Sequence, residues 1–277
     1  MPAPADVRQD AGRVARPAIV GVSLKMYLGH AETVAWCEAV AGIARTHPAT
    51  ARGEAELVVL PSYLSVPAAV GTLDGIAAVG AQDLATEDAG AFTGEVSGGQ
   101  VRELGGAFVE VGHAERRRLF GETDEVVRRK ADAALRAGLV PILCLGEEAE
   151  QDPADAAREC GRQLDDALAL ARESGHGGRI VVAYEPQWAI GADAPASDAH
   201  IRAVCRDLRA RVRALDAHPG SAVIYGGSAG PGLLTRIGDD VDGLFLGRFA
   251  HDPRAVAAIL DEVHARAAAR PAPDPAR

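Results

Sequence analysis

The chain has 277 residues, 48% of them hydrophobic, and carries a formal net charge of −10 at pH 7 with a pI near 5.3. That length and apolar content support one large core, because α/β barrels use about 250 residues as a single domain. An acidic chain lacks the basic face of a nucleic-acid binder, although local donors on an acidic protein still hold an anionic small molecule.

The start, MPAPADVRQDAGRVARP, is charged and broken by proline, so residues 1–17 are expected to form a flexible extension rather than a signal peptide. Short apolar runs then recur: AIVGVSL (18–24), ELVVL (56–60), IAAVGA (76–81) and AFVEVG (107–112). They continue as LVPILCLG (139–146), RIVVAYE (179–185), AVIYGG (222–227) and GLFLG (243–247). Between them lie stretches of helical period, among them 31–45, 124–137, 154–173, 199–214 and 253–268. Alternating β and α segments predict parallel strands with helical crossovers. Continuously apolar runs predict strands buried on both faces. Eight such units fit a (β/α)8 barrel, and an open doubly wound sheet shares the same rhythm. No linker interrupts the pattern, so 18–269 reads as one domain, followed by a Pro-rich, disordered tail over 270–277.

No run reaches the roughly 18 apolar residues of a membrane span. Cys37, Cys144, Cys160 and Cys205 are scattered with no C-x-x-C pair, the usage expected of reduced thiols in the cytoplasm. The histidines have neither H-x-x-x-H nor H-E-x-x-H spacing, so no metal site is expected.

In a barrel, chemistry gathers where the strands end. Glu185 closes the sixth run against Pro186, which restricts its backbone to extended geometry. A carboxylate there is commonly just solvated or salt-bridged. The following QWAIGADAPAS has the composition of a lid: a stiff Pro-Trp start, a mobile centre at Gly191, and Ser197 and Asp198 capping the next helix. A lid closing on a carboxylate excludes water and raises its basicity. His113, in VEVGHAERRRLFGET, stands at a helix start, where the helix dipole disfavours imidazolium. Glu115 is placed to pair with Lys25, while Arg116 and Arg117 suit structural ion pairs. Lys25 ends the first run, either as a surface lysine or as a fixed ammonium for a developing oxyanion. YGGSAGPGLL (225–234) feeds a helix with Pro231 in its first turn. It lacks a P-loop's Lys-Ser/Thr, but Ser228 and the amide of Gly247 are candidate donors to a single phosphate.

Over about residues 18–265, the chain resembles the triosephosphate isomerase family. The motifs that carry the resemblance are LKM, GAQDL, GAFTGEVS, GHAERR, CLGE, YEPQWAIG, YGGS and DGLFLG, in the family's order. The resemblance implies that Glu185 is a general base, His113 a neutral electrophile and Lys25 an electrostatic residue. It further implies that Gly191, Ser228 and Gly247 bind phosphate, that no cofactor is needed, and that the loop DAGAFTGEVS (88–97) makes a homodimer with Thr93 at its tip. The implied substrate is a small phosphorylated sugar. Several positions depart from the family: Ser23 replaces Asn, Ala114 replaces Ser, Gln187 replaces Val, ADAP replaces TGKT, and Gly247-Arg248 replaces two glycines. Ser23 and the Gly-Arg ending are similar to the erythrulose-phosphate isomerase branch. Three readings follow: an erythrulose-phosphate isomerase, a glycolytic triosephosphate isomerase, or a non-catalytic barrel that binds phosphorylated metabolites.

Overall fold

The computed structural model describes residues 16–191 and 194–269. The expected extension, apart from Arg16 and Pro17, lies outside the described residues, as do Ala192 and Asp193 of the expected lid and the tail from residue 270.

The eight runs form β1 (Ala18–Ser23), β2 (Ala55–Leu60), β3 (Ala78–Ala81), β4 (Phe108–Val111), β5 (Val140–Leu145), β6 (Val181–Tyr184), β7 (Ala222–Tyr225) and β8 (Gly243–Leu246). All pair in parallel and in chain order, and β1 pairs with both β2 and β8, so the sheet is a closed barrel. An open doubly wound sheet would leave two strands with free edges, and this one has none.

The helices are α1 (His30–Thr46), α2 (Pro48–Ala51), α3 (Val66–Thr72), α4 (Gly98–Glu103), α5 (Ala114–Phe120) and α6 (Asp124–Arg136). They continue as α7 (Pro153–Ala167), α8 (Ala169–Ser174), α9 (Asp198–Arg213), α10 (Leu233–Ile237) and α11 (Pro253–Ala269). The single helix expected over 154–173 is two. Leu168, at φ −94° and ψ −2°, bends the chain so that α7 packs on α9 while α8 turns onto α6. The helix after β7 starts later than expected. Gly232, at φ 86°, caps α10, which leaves Pro231 in the preceding turn.

Strand periodicity divides the core into two shells. Ile19, Leu60, Phe108, Ile142, Val181, Ile224 and Phe245 fill the barrel interior. The alternate residues, such as Val20, Val59, Val109, Leu143, Val182 and Leu244, pack outward among residues from the helices. Both faces are apolar, which is why the strands read as continuous runs. Burying each such side chain contributes about 1.5–3 kcal/mol. Two residues past Phe108, and four past Ile19 and Val181, the same alternation points Glu110, Ser23 and Glu185 into the mouth of the barrel. No helix among the described residues is long and apolar enough to cross a membrane.

Candidate active site

A cleft of about 610 Å³ opens at the C-terminal ends of the strands. Ser23, Lys25, His113, Glu185, Gly191, Ser228, Gly247 and Arg248 all line it. Residues scattered over more than 220 positions of sequence meet there because every strand of a parallel barrel ends on the same face.

Lys25 follows β1 with φ 51°, a left-handed conformation that a non-glycine residue adopts at a cost of about 1–3 kcal/mol. The Gln82 amide donates to its carbonyl (3.1 Å), and its ammonium meets Glu115 Oε1 at 2.6 Å. The expected pairing of Lys25 with Glu115 is present.

His113 is the N-cap of α5. Its Nδ1 accepts a hydrogen bond from the Glu115 backbone N–H at 3.1 Å, so the neutral ring carries its proton on Nε2, which faces the cleft. Burial, followed by the nearby Lys25 charge, pushes the imidazole down to about 4, so the ring is neutral at physiological pH. The expected arginine ion pairs are also present. Arg116 bonds Asp83 and Glu122, and Arg117 bonds Asp124. Lys130 joins the same cluster from α6, with Nζ 2.6 Å from Asp83 and 2.5 Å from Glu122. This buried cluster braces the helix that His113 caps.

Glu185 lies one residue past β6, with its N–H bonded to the Leu145 carbonyl at 2.7 Å. The residue is 5% exposed, and Oε2 stands 3.4 Å from His113 Nε2 with no hydrogen-bond partner. Burial, then the Glu110 carboxyl, raises Glu185 to about 8. Room for this side chain comes from Gly226, where a β-carbon would sit 2.5 Å from Glu185 Oε1.

Beyond Glu185 the chain is tied down before it reaches residue 192. The Trp188 indole donates to Glu147 Oε1 (2.9 Å), and the Gln187 N–H donates to the Glu147 carbonyl (2.9 Å). Glu147 is fully buried and also accepts from Tyr184 Oη at 3.0 Å, with His200 Nε2 3.1 Å away. The far end is held by the Ala196 N–H, which donates to Tyr225 Oη at 3.3 Å. Ser197 caps α9 by accepting from the His200 N–H. Ser228, at φ 52°, donates its hydroxyl to the Ala189 carbonyl at 2.9 Å and thereby couples the glycine turn after β7 to this segment. Arg248 is exposed at the rim and has no ion pair among the described residues.

The sequence profile of triosephosphate isomerase matches residues 18–263. The chain belongs to the triosephosphate isomerase family. It is 50% identical over 248 residues to an L-erythrulose-1-phosphate isomerase of Pectobacterium atrosepticum, covering 89% of this chain and 96% of that protein. It is also 40% identical to a triosephosphate isomerase of Herpetosiphon aurantiacus, over 84% of this chain and 93% of the relative. A triosephosphate isomerase of Moorella thermoacetica is 39% identical, over 77% and 88%. Membership makes the protein an isomerase whose class of substrate is a small sugar phosphate.

Two parts of this cleft and its surroundings went unread in the sequence. Glu110 lines the cleft from the middle of an apolar strand. Its one sequence cue was an acid two residues after Phe108, and the closed barrel is what makes that position inward. The Glu147 hub had only CLGE as a cue, and nothing in that motif says that Trp188, Tyr184 and His200 converge on its carboxylate.

Proposed function

We propose that the protein interconverts an aldose and a ketose phosphate by proton transfer, with Glu185 as base and a four-carbon erythrulose phosphate as preferred substrate. The observation that carries the chemistry is the approach of the buried Glu185 carboxyl to the proton-bearing nitrogen of a neutral histidine across 3.4 Å. In its ionised form Glu185 removes a proton from the carbon next to the carbonyl. The electron pair left behind forms the enediolate double bond and moves charge to the carbonyl oxygen. His113 Nε2–H and the Lys25 ammonium stabilise that oxygen as charge develops. The proton then returns from Glu185 to the neighbouring carbon, and a hydroxyl proton shifts between the two oxygens by way of His113. Hydrogen moves only as a proton, so the reaction balances without an oxidant or reductant.

Gly191, Ser228, Gly247 and Arg248 form the phosphate end of this reading, with Arg248 offering a bidentate grip. The segment from Gln187 onward acts as a lid that shuts water out. Ser23 is shorter than the Asn usual in the family, and the space it frees beside Lys25 suits one additional hydroxymethylene group. The 50% identity to an L-erythrulose-1-phosphate isomerase supports the same choice. The loop over 88–97 is exposed along residues 88–95 and presents Phe92, 45% exposed, as the contact of a homodimer. Four free and buried cysteines suit a reducing cytoplasm.

The test is parallel steady-state kinetics on glyceraldehyde 3-phosphate and the erythrulose phosphates. A site that hydrogen-bonds a substrate hydroxyl discriminates strongly against an analogue lacking it, so kcat/KM for a tetrose phosphate should clearly exceed that for the triose. Fast turnover of triose phosphate with inert tetroses would instead identify a glycolytic enzyme. Binding of sugar phosphates without turnover would leave a non-catalytic barrel.

A further inference from the structure

The proton transfer described above uses one carboxylate, yet the cleft holds two more, Glu115, which is paired with Lys25, and Glu110. Glu110 is the sole charged residue of β4 and is 3% exposed. Burying an acid is unfavourable unless it is paired or neutralised, so its presence calls for a physical account. The Ser23 hydroxyl donates to Glu110 Oε2 at 2.8 Å and fixes the plane of the carboxyl. The other oxygen, Oε1, stands 3.9 Å from His113 Nε2, the nitrogen that Glu185 approaches at 3.4 Å. Two buried acids therefore face a single imidazole nitrogen.

We propose that Glu110 is a positioning residue for the proton-transfer pair: its carboxyl, aimed by Ser23 at His113, governs the charge state in which Glu185 meets substrate. The inference rests on the reading of Glu185 as the base.

The groups around the two acids come from several elements. Ser23 and Lys25 approach from β1 and the loop after it, Asp83 from the loop after β3, and His113 and Glu115 from the start of α5. Cys144 on β5 places its sulfur 3.9 Å from Glu110 Oε1, and burial keeps that thiol protonated. Burial raises Glu110 to about 7, against the pull of the Ser23 hydroxyl and the Lys25 charge, with Glu115 and Asp83 pushing it further up. Glu185 is raised further, to about 8, by burial and then by Glu110 itself, with Lys25 opposing. Charge on Glu110 disfavours ionisation of Glu185, so an ionised Glu110 helps to hold the proton on Glu185. Two acids so close titrate as a pair. The result is a more basic Glu185 than one carboxyl in the same cleft would provide.

The experiment uses the full-length protein and two readouts. One is kcat/KM against pH on whichever triose or tetrose phosphate is turned over. The other is a 13C NMR titration of glutamate carboxyls in the free protein, with the Glu185 signal identified by its loss in E185Q. Glu110→Gln keeps the shape and an acceptor for Ser23 but removes the charge. Both midpoints should fall by about 1 pH unit, the scale at which coupling between neighbouring acids becomes visible. Ser23→Ala removes the donor that favours ionised Glu110, so it should shift the midpoints in the same direction by less. S23A/E110Q should shift them no further than E110Q alone. Reduced activity in E110Q with both midpoints unmoved would overturn the proposal and leave Glu110 a packing residue. If E110Q does not fold, S23A carries the test with the same two outcomes. Activity retained in E185Q would instead refute the base assignment, while the NMR titration still decides whether the two acids are coupled.

Discussion

Gly226→Ala isolates the placement of Glu185, the proposed base, from its chemistry. The backbone of Gly226 is outside the left-handed region, so alanine can adopt it, and the Gly226 N–H bond to the Tyr184 carbonyl (2.9 Å) need not change. The new β-carbon would lie 2.5 Å from Glu185 Oε1, 2.7 Å from its Cγ and 3.0 Å from its Cδ. Carbon and oxygen atoms at rest sit about 3.5 Å apart, so the carboxyl must retreat by about 1 Å from its station beside His113. Misplacing a catalytic group by that distance costs about 10²-fold in rate. Stability should hardly move, because Gly→Ala at a compatible backbone contributes about 0.4–1 kcal/mol through the unfolded chain, which offsets part of the strain. The assay is kcat by steady-state kinetics beside a thermal melt followed by circular dichroism. Because the damage acts through Glu185, G226A/E185Q should be no slower than E185Q alone, a non-additive pair. A G226A protein with kcat within a few-fold of the parent and an unchanged melt would refute the reasoning, since the base would then tolerate displacement.

Glu185→Gln should lower kcat by at least about 10²-fold, the contribution of a general base. It should also raise the melting temperature near pH 8 and lose that advantage near pH 4. The Glu185 carboxyl is raised on folding from 4.5 to about 8, so its own contribution favours the folded state least above that window and its cost fades as pH falls through it. Replacing Lys130 with Met should cost about 3–5 kcal/mol in urea unfolding, because Asp83 and Glu122 lose a buried partner; a loss below 1 kcal/mol would mean that Arg116 alone neutralises both acids. Deleting residues 90–94 should convert a dimer into a poorly active monomer by light scattering, and a parent protein that is already monomeric at micromolar concentration would refute the dimer.

Much of this site is written locally. Glu185 before Pro186, His113 after a strand-ending glycine and Lys25 at the end of β1 each announce themselves by a polar residue where an apolar run stops. The eight runs also fix the parallel architecture, because only a strand covered on both faces is apolar throughout. Glu110 is different. Read along the chain, it is one acid inside a strand, and its meaning depends on which way that strand faces. Phe108 supplies that direction only once the sheet has closed and the interior exists. The meeting of Ser23 with Glu110, 87 residues away, is likewise a product of closure. The convergence of Trp188, Tyr184 and His200 on Glu147 depends on helices and loops that pack only after the barrel has formed. Sequence by itself determined the strands, their burial and the groups that end them, since these follow from local pattern. Tertiary structure alone decided which buried acids face the same imidazole, because charge coupling depends on distance through space.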